Sequence, residues 1–170
     1  VIADFTAATA LPKRSEYSEE DTGRVTSGAA YAMLGRTYWY NRDFENAYKM
    51  LYVLVEGEQK GEYELDPDFA TQWLNPNSNL RESTLNAASP VYPQDVEMTV
   101  YVIRYADVLL MYAEACLEKG DIVGARKYLN QVRKRARESS PLDAKRVIQK
   151  YVPDTKPTSL PDITSDNVAE

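Results

Sequence analysis

The sequence predicts an all-α fold of tetratricopeptide-like helical hairpins with an irregular, loop-rich middle segment. Two stretches, at about 27–57 and 100–137, carry apolar residues at the three- and four-residue spacing of a helix face. Both stretches place small residues at matching positions on either side of a short turn. The segment between them, 62–99, is rich in proline and asparagine, which favours turns and irregular structure.

The first hairpin is predicted from two helix patterns that are separated by a short polar turn. Ala30 and Leu34 share one face of the first helix, and Ala47 lies on the apolar face of the second. Asp43 is the expected N-cap of the second helix, because its side-chain oxygen can accept hydrogen bonds from free backbone N–H groups. Gly57 is expected to end that helix.

The second hairpin is predicted in the same way. Leu109 and Cys116 share the apolar face of its first helix, and Cys116 is expected to be a buried small residue. Gly120 is the expected residue after that helix, because glycine takes the left-handed conformation without steric cost. Asp121 follows as the N-cap of the next helix. In the tail 139–170, residues 142–151 could form one more short helix, and the part from Pro153 on is expected to be loop.

The two hairpins repeat the residue order of the tetratricopeptide pattern. Small residues occupy equivalent places, Gly35 and Ala47 in the first hairpin and Ala113 and Ala125 in the second. Small side chains allow two antiparallel helices to cross closely. The copies lie about twice as far apart as the roughly 34 residues of a tandem array, so a non-repetitive segment separates them.

The composition favours a binding protein over an enzyme. The chain has no histidine, which removes the usual general base and the commonest metal ligand. No Gly-rich phosphate loop and no calcium-loop spacing is present, so we expect no catalytic residues, no cofactor and no metal. The net charge of −6 argues against a nucleic-acid partner, since such proteins are usually basic.

The candidate ligand-binding residues lie in the middle segment. An exposed Trp73 beside Asn75 and Asn77 would make a platform for a sugar ring, with amide hydrogen bonds to its hydroxyl groups. Tyr92 could serve in the same way. The alternative is that Trp73 fixes the loop onto the helices, with no role in binding.

Two groups of residues outside that segment also call for interpretation. Trp39 and Tyr40 end the first helix, and their helical spacing favours a place in the core or in a groove between helices. Arg104, Asp107 and Glu114 are charged residues on an otherwise apolar helix. We expect them to form a structural ion pair to a neighbouring segment.

The motif VIRYADVLLMYAEA at 102–115 strongly resembles the signature of SusD/RagB-type proteins. Further stretches agree with that family in the same order along the chain, at 23–30, 43–48, 61–65, 129–136 and 160–164. Together they cover most of the chain. The resemblance implies one SusD-like helical domain over 1–170, incomplete because the family carries further segments before, within and after this stretch.

The resemblance also implies a function. SusD/RagB-type proteins are lipoproteins exposed on the surface of the outer membrane, where they capture glycans or other nutrients. They pass the ligand to a SusC-like TonB-dependent transporter and are not enzymes. Contact with the membrane is then expected only through an N-terminal lipid anchor, which this chain does not contain. The alternative is a tetratricopeptide-type adaptor that binds a peptide or a partner subunit, since the repeat pattern alone supports that equally well.

Overall fold

The computed structural model describes residues 1–21, 23–65, 102–138 and 162–164, and within them it shows five α-helices and no strand. The prediction of an all-α fold with helical hairpins is confirmed. The chain divides into two compact units, one of Val1–Leu65, Val102–Val132 and Asp162–Glu170 and one of Asp66–Tyr101 and Arg133–Pro161. The predicted middle segment and tail lie mainly outside the described residues, so the single-domain organisation stays a prediction.

Four helices form the two predicted hairpins, and a short helix precedes them. Helix α1 spans Ile2–Ala8 and is followed by two short 3₁₀ turns. Helices α2 (Ser27–Tyr40) and α3 (Phe44–Val55) form the first hairpin. Helices α4 (Tyr105–Glu118) and α5 (Ile122–Glu138) form the second. The first unit contains all of these helices except the last turns of α5.

Local side-chain chemistry fixes the turns of both hairpins. The Asp43 carboxylate accepts a hydrogen bond from the backbone N–H of Asn46 at 3.1 Å, which caps α3. The Asp121 carboxylate accepts one from the N–H of Gly124 at 2.8 Å, at the start of α5. Gly120 has φ of 81°, in the left-handed region that glycine adopts freely. These three predictions are confirmed.

The core lies where the two hairpins pack together. Leu51, Leu54 and Leu109 are fully buried, and Cys116 lies among them as predicted. Gly35 lies against Leu51, and a Cβ atom at Gly35 would be only 2.6 Å from Leu51 Cγ and Cδ2. The small residue therefore allows α2 to approach α3 closely.

A row of three tyrosines joins α3, α4 and α5. The ring of Tyr48 stacks on that of Tyr112 with centroids 5.0 Å apart. Tyr112 in turn meets Tyr128 edge to face at 5.1 Å. Both arrangements are favoured by the quadrupoles of the rings, and they hold the second hairpin against the first.

Side chains of α5 hydrogen-bond to the backbone of residues 163 and 164. The Asn130 amide donates to the Ile163 carbonyl at 2.9 Å and accepts from the Ile163 N–H at 2.8 Å. The Arg126 guanidinium donates to the Thr164 carbonyl at 3.0 Å. These bonds satisfy backbone groups that have no partner in a helix or sheet.

Candidate functional site

The four residues that the sequence indicated for ligand binding are Trp73, Asn75, Asn77 and Tyr92. All four lie outside the described residues. The sugar platform in the middle segment therefore stays a prediction. The described part of the chain offers a different candidate, on the α4–α5 hairpin and the adjoining end of α2.

A groove of about 330 Å³ runs along the second hairpin, a volume near the lower end of the ~300–1,000 Å³ that is usual for ligand pockets. Its floor follows from the repeat, because Ala113 and Ala125 are small where α4 and α5 cross. Leucines and two glutamates complete its walls. The residues that line this α4–α5 groove are Leu110, Ala113, Glu114, Leu117, Glu118, Ala125 and Leu129.

Three residues at the end of α2, namely Arg36, Trp39 and Tyr40, form what we call the aromatic edge. The Trp39 indole N–H donates to Glu114 Oε2 at 2.8 Å, which attaches the edge to the wall of the groove. The Tyr40 ring meets the Trp39 ring edge to face at 5.1 Å. The Arg36 guanidinium carbon lies 5.5 Å from the centroid of the Tyr40 ring, within the range of a cation–π contact.

The prediction that Trp39 and Tyr40 both fill the core or a groove is wrong for Tyr40. Consecutive residues on a helix point about 100° apart, so the two rings cannot face the same way. Trp39 is partly buried against the core, whereas Tyr40 is 65% exposed. Its phenol ring is therefore available for contact with a ligand.

The three predicted charged residues do not act as one group, because Arg104 pairs with Asp107 and Glu114 pairs with Trp39. The Asp107 carboxylate accepts from Arg104 at the start of α4, with its two oxygens 2.8 and 3.1 Å from guanidinium nitrogens. Burial raises the pKa of Asp107, but the hydrogen bonds from Arg104 outweigh it and leave the pKa lowered. The pair thus caps its own helix, whereas Glu114 accepts from Trp39 on α2.

Sequence reasoning missed the role of Glu114, although the repeat contains a signal for it. Arg36 directly follows Gly35, and Glu114 directly follows Ala113, so the two charged residues occupy equivalent positions of the two hairpins. Equivalent helices of neighbouring hairpins lie side by side. Charged residues at these two equivalent positions therefore indicate a shared surface of α2 and α4, although the residue of α2 that bonds Glu114 is Trp39.

A second cluster of charged groups joins the hairpins but lines no groove among the described residues. Glu56, at the end of α3, accepts from Lys60, from Lys127 at 2.5 Å and from the Tyr128 hydroxyl. Hydrogen bonds from Lys127, Lys60 and Tyr128 lower the pKa of Glu56 to about 2. Burial and the bond to Glu56 raise the pKa of Tyr128 to about 12. We interpret this cluster as a structural tie between α3 and α5.

The described residues offer little for covalent or metal chemistry. Burial raises the pKa of the Cys116 thiol to about 11, so the reactive thiolate is scarce at neutral pH. Within the described ranges, no group of three or more Cys, Asp or Glu residues could hold a metal ion. In the same part of the chain, no helix is both long and apolar enough to cross a membrane.

Comparison with known proteins gives one finding. A family model described as the SusD family matches residues 38–152. No curated protein and no solved structure matches the chain. The matched stretch covers more than half of the chain and includes α3, α4 and α5, together with both walls of the α4–α5 groove.

Proposed function

This chain belongs to the SusD family, and from that membership we propose that it captures a glycan or another nutrient and passes it to a TonB-dependent transporter. The family implies glycan or nutrient binding at the cell surface. Its members are in general lipoproteins on the surface of the outer membrane. We propose the same place for this protein, with a lipid anchor on the full-length chain and a SusC-like transporter as its partner.

The observation that carries the proposal is the family match over residues 38–152. The geometry agrees with a role in binding. The α4–α5 groove and the aromatic edge bring an exposed tyrosine, an indole, a guanidinium and two carboxylates to one surface. Aromatic rings and hydrogen-bonding side chains at one place can recognise both the apolar and the polar faces of a sugar.

Calorimetric titration of the full-length, lipid-free protein against a panel of host and plant polysaccharides tests the capture role. We expect one class of polysaccharide to bind and the others to give no heat. Absence of binding across the whole panel would contradict glycan capture. For the transfer step, we expect a SusC-like transporter to co-purify with the full-length protein from outer membranes, and its absence would contradict the partnership.

A tetratricopeptide-type adaptor is the second candidate, and the α4–α5 groove is the observation that favours it. Its leucines and its two glutamates, Glu114 and Glu118, would suit an amphipathic segment that carries basic residues. The two functions differ in what they require. Cross-linking at this groove in cells grown without polysaccharide should capture a partner other than a SusC-like transporter if the chain is an adaptor, and no such partner if it only captures glycans.

A further inference from the structure

The aromatic edge presents an exposed ring that is already held in place. Tyr40 is 65% exposed, yet it contacts both the Trp39 ring and the Arg36 guanidinium. Arg36 also donates a hydrogen bond to the Val102 carbonyl at 3.3 Å. A ring that is ordered before binding loses little conformational entropy when a ligand stacks on it.

Glu114 supplies unused hydrogen-bond acceptors beside that ring. Its Oε2 accepts from the Trp39 indole at 2.8 Å, and Oε1 has no hydrogen bond within the described part of the chain. An ionised carboxylate has about four lone-pair sites, so most of its capacity stays open to hydroxyl donors. Trp39 contacts both Tyr40 and Glu114, so the indole links the stacking ring to the acceptor.

We propose that Tyr40, Trp39, Arg36 and Glu114 form a subsite for one pyranose ring of a neutral glycan, an inference that rests on the proposed function. The C–H face of the sugar packs on the Tyr40 ring. One sugar hydroxyl donates to Glu114 Oε1, and Arg36 donates to a second hydroxyl oxygen. The subsite lies on the helical hairpins and is separate from the predicted platform at Trp73.

Charge decides between neutral and acidic glycans. Glu114 and Glu118 both line the adjacent groove, and the whole chain carries a net charge of −6. The carboxylate of a uronic acid or a sulfate group would meet two like charges there, which oppose the attraction to the Arg36 guanidinium. The subsite therefore favours a neutral sugar, and binding should change little with salt concentration.

The test uses the full-length protein and the polysaccharide that binds it best in the panel, with dissociation constants from calorimetry. Tyr40→Ala removes the stacking ring at an exposed position, and we expect the dissociation constant to rise about tenfold. Tyr40→Phe keeps the ring and should bind like the wild type. Tyr52→Ala is the matched control, because Tyr52 is also an exposed tyrosine, at 43%, but lies on α3.

Each outcome decides something different. Equal binding by wild type and Tyr40→Ala would overturn the subsite and leave glycan capture intact, and loss of binding in Trp73→Ala alone would then place the site in the middle segment. No binding by the wild type would overturn both proposals. Preference for an acidic polysaccharide, with affinity that falls as salt rises, would overturn the neutral-sugar assignment.

Discussion

The two hairpins share a left-handed turn residue and a close helix crossing, but different residues occupy these positions. At the turn after α2, Arg42 takes the left-handed conformation with φ of 56°, whereas Gly120 does so after α4 with φ of 81°. At the helix crossing, the first hairpin uses Gly35 and the second uses Ala113. The repeat thus dictates a backbone conformation and a close approach. It does not dictate which residue occupies each of these positions.

The largest expected difference between the hairpins is at the helix crossings. Gly35→Val places three carbon atoms where a single Cβ would already lie 2.6 Å from Leu51. We therefore expect the free energy of unfolding to fall by about 3 kcal/mol, near the upper end of the usual cost of overpacking. Ala113→Val is the matched change, and its added methyl groups can enter the α4–α5 groove at a smaller cost. Chemical denaturation of both variants measures the difference, and equal losses would contradict it.

The tie at Glu56 tests how firmly the hairpins are joined. Its pKa is about 2 in the folded chain and near 4.5 when unfolded, so its stabilisation is complete above pH 4.5 and is lost as the pH falls toward 2. Glu56→Gln should lower the free energy of unfolding at neutral pH by about 1.5–3 kcal/mol. Denaturation from pH 2 to 6 should show a shallower pH dependence in the variant, and parallel curves would contradict the tie.

The two turns give the smallest expected effects, and these have opposite signs. Gly120→Ala puts a Cβ on a left-handed residue and should destabilise the protein by about 1 kcal/mol. Arg42→Gly removes the same strain from the first turn, but it also makes the unfolded chain more flexible. We therefore expect the free energy of unfolding of Arg42→Gly to rise by at most about 1 kcal/mol. Thermal unfolding of both variants checks the sign of each change in stability, and a less stable Arg42→Gly variant would contradict the strain at Arg42.

Features that depend on neighbours along the chain were predictable from the sequence. The caps at Asp43 and Asp121 and the glycine at 120 each act within one turn of helix, so the residue type was enough to find them. The all-α hairpin fold was predictable for the same reason, since helical spacing and turn chemistry agree throughout.

Contacts between distant segments were harder to predict. The bond from Trp39 to Glu114 depends on how α2 lies against α4, which only a comparison of equivalent positions in the two hairpins indicates. Helical spacing also placed Tyr40 inward, because it marks a face without giving the width of that face. The sugar platform at Trp73, Asn75, Asn77 and Tyr92 lies outside the described residues and stays a prediction.

The bond between Asn130 and Ile163 has a consequence for how the protein can evolve. Both hydrogen bonds between the Asn130 amide and Ile163 go to backbone groups, the N–H and the carbonyl. Those groups are the same for every residue except proline, which lacks the N–H. Mutational drift at 163 can therefore exchange one side chain for another while the bond persists. In a scan of substitutions for stability, we expect position 130 to tolerate few residues and position 163 to tolerate most, with proline as the exception.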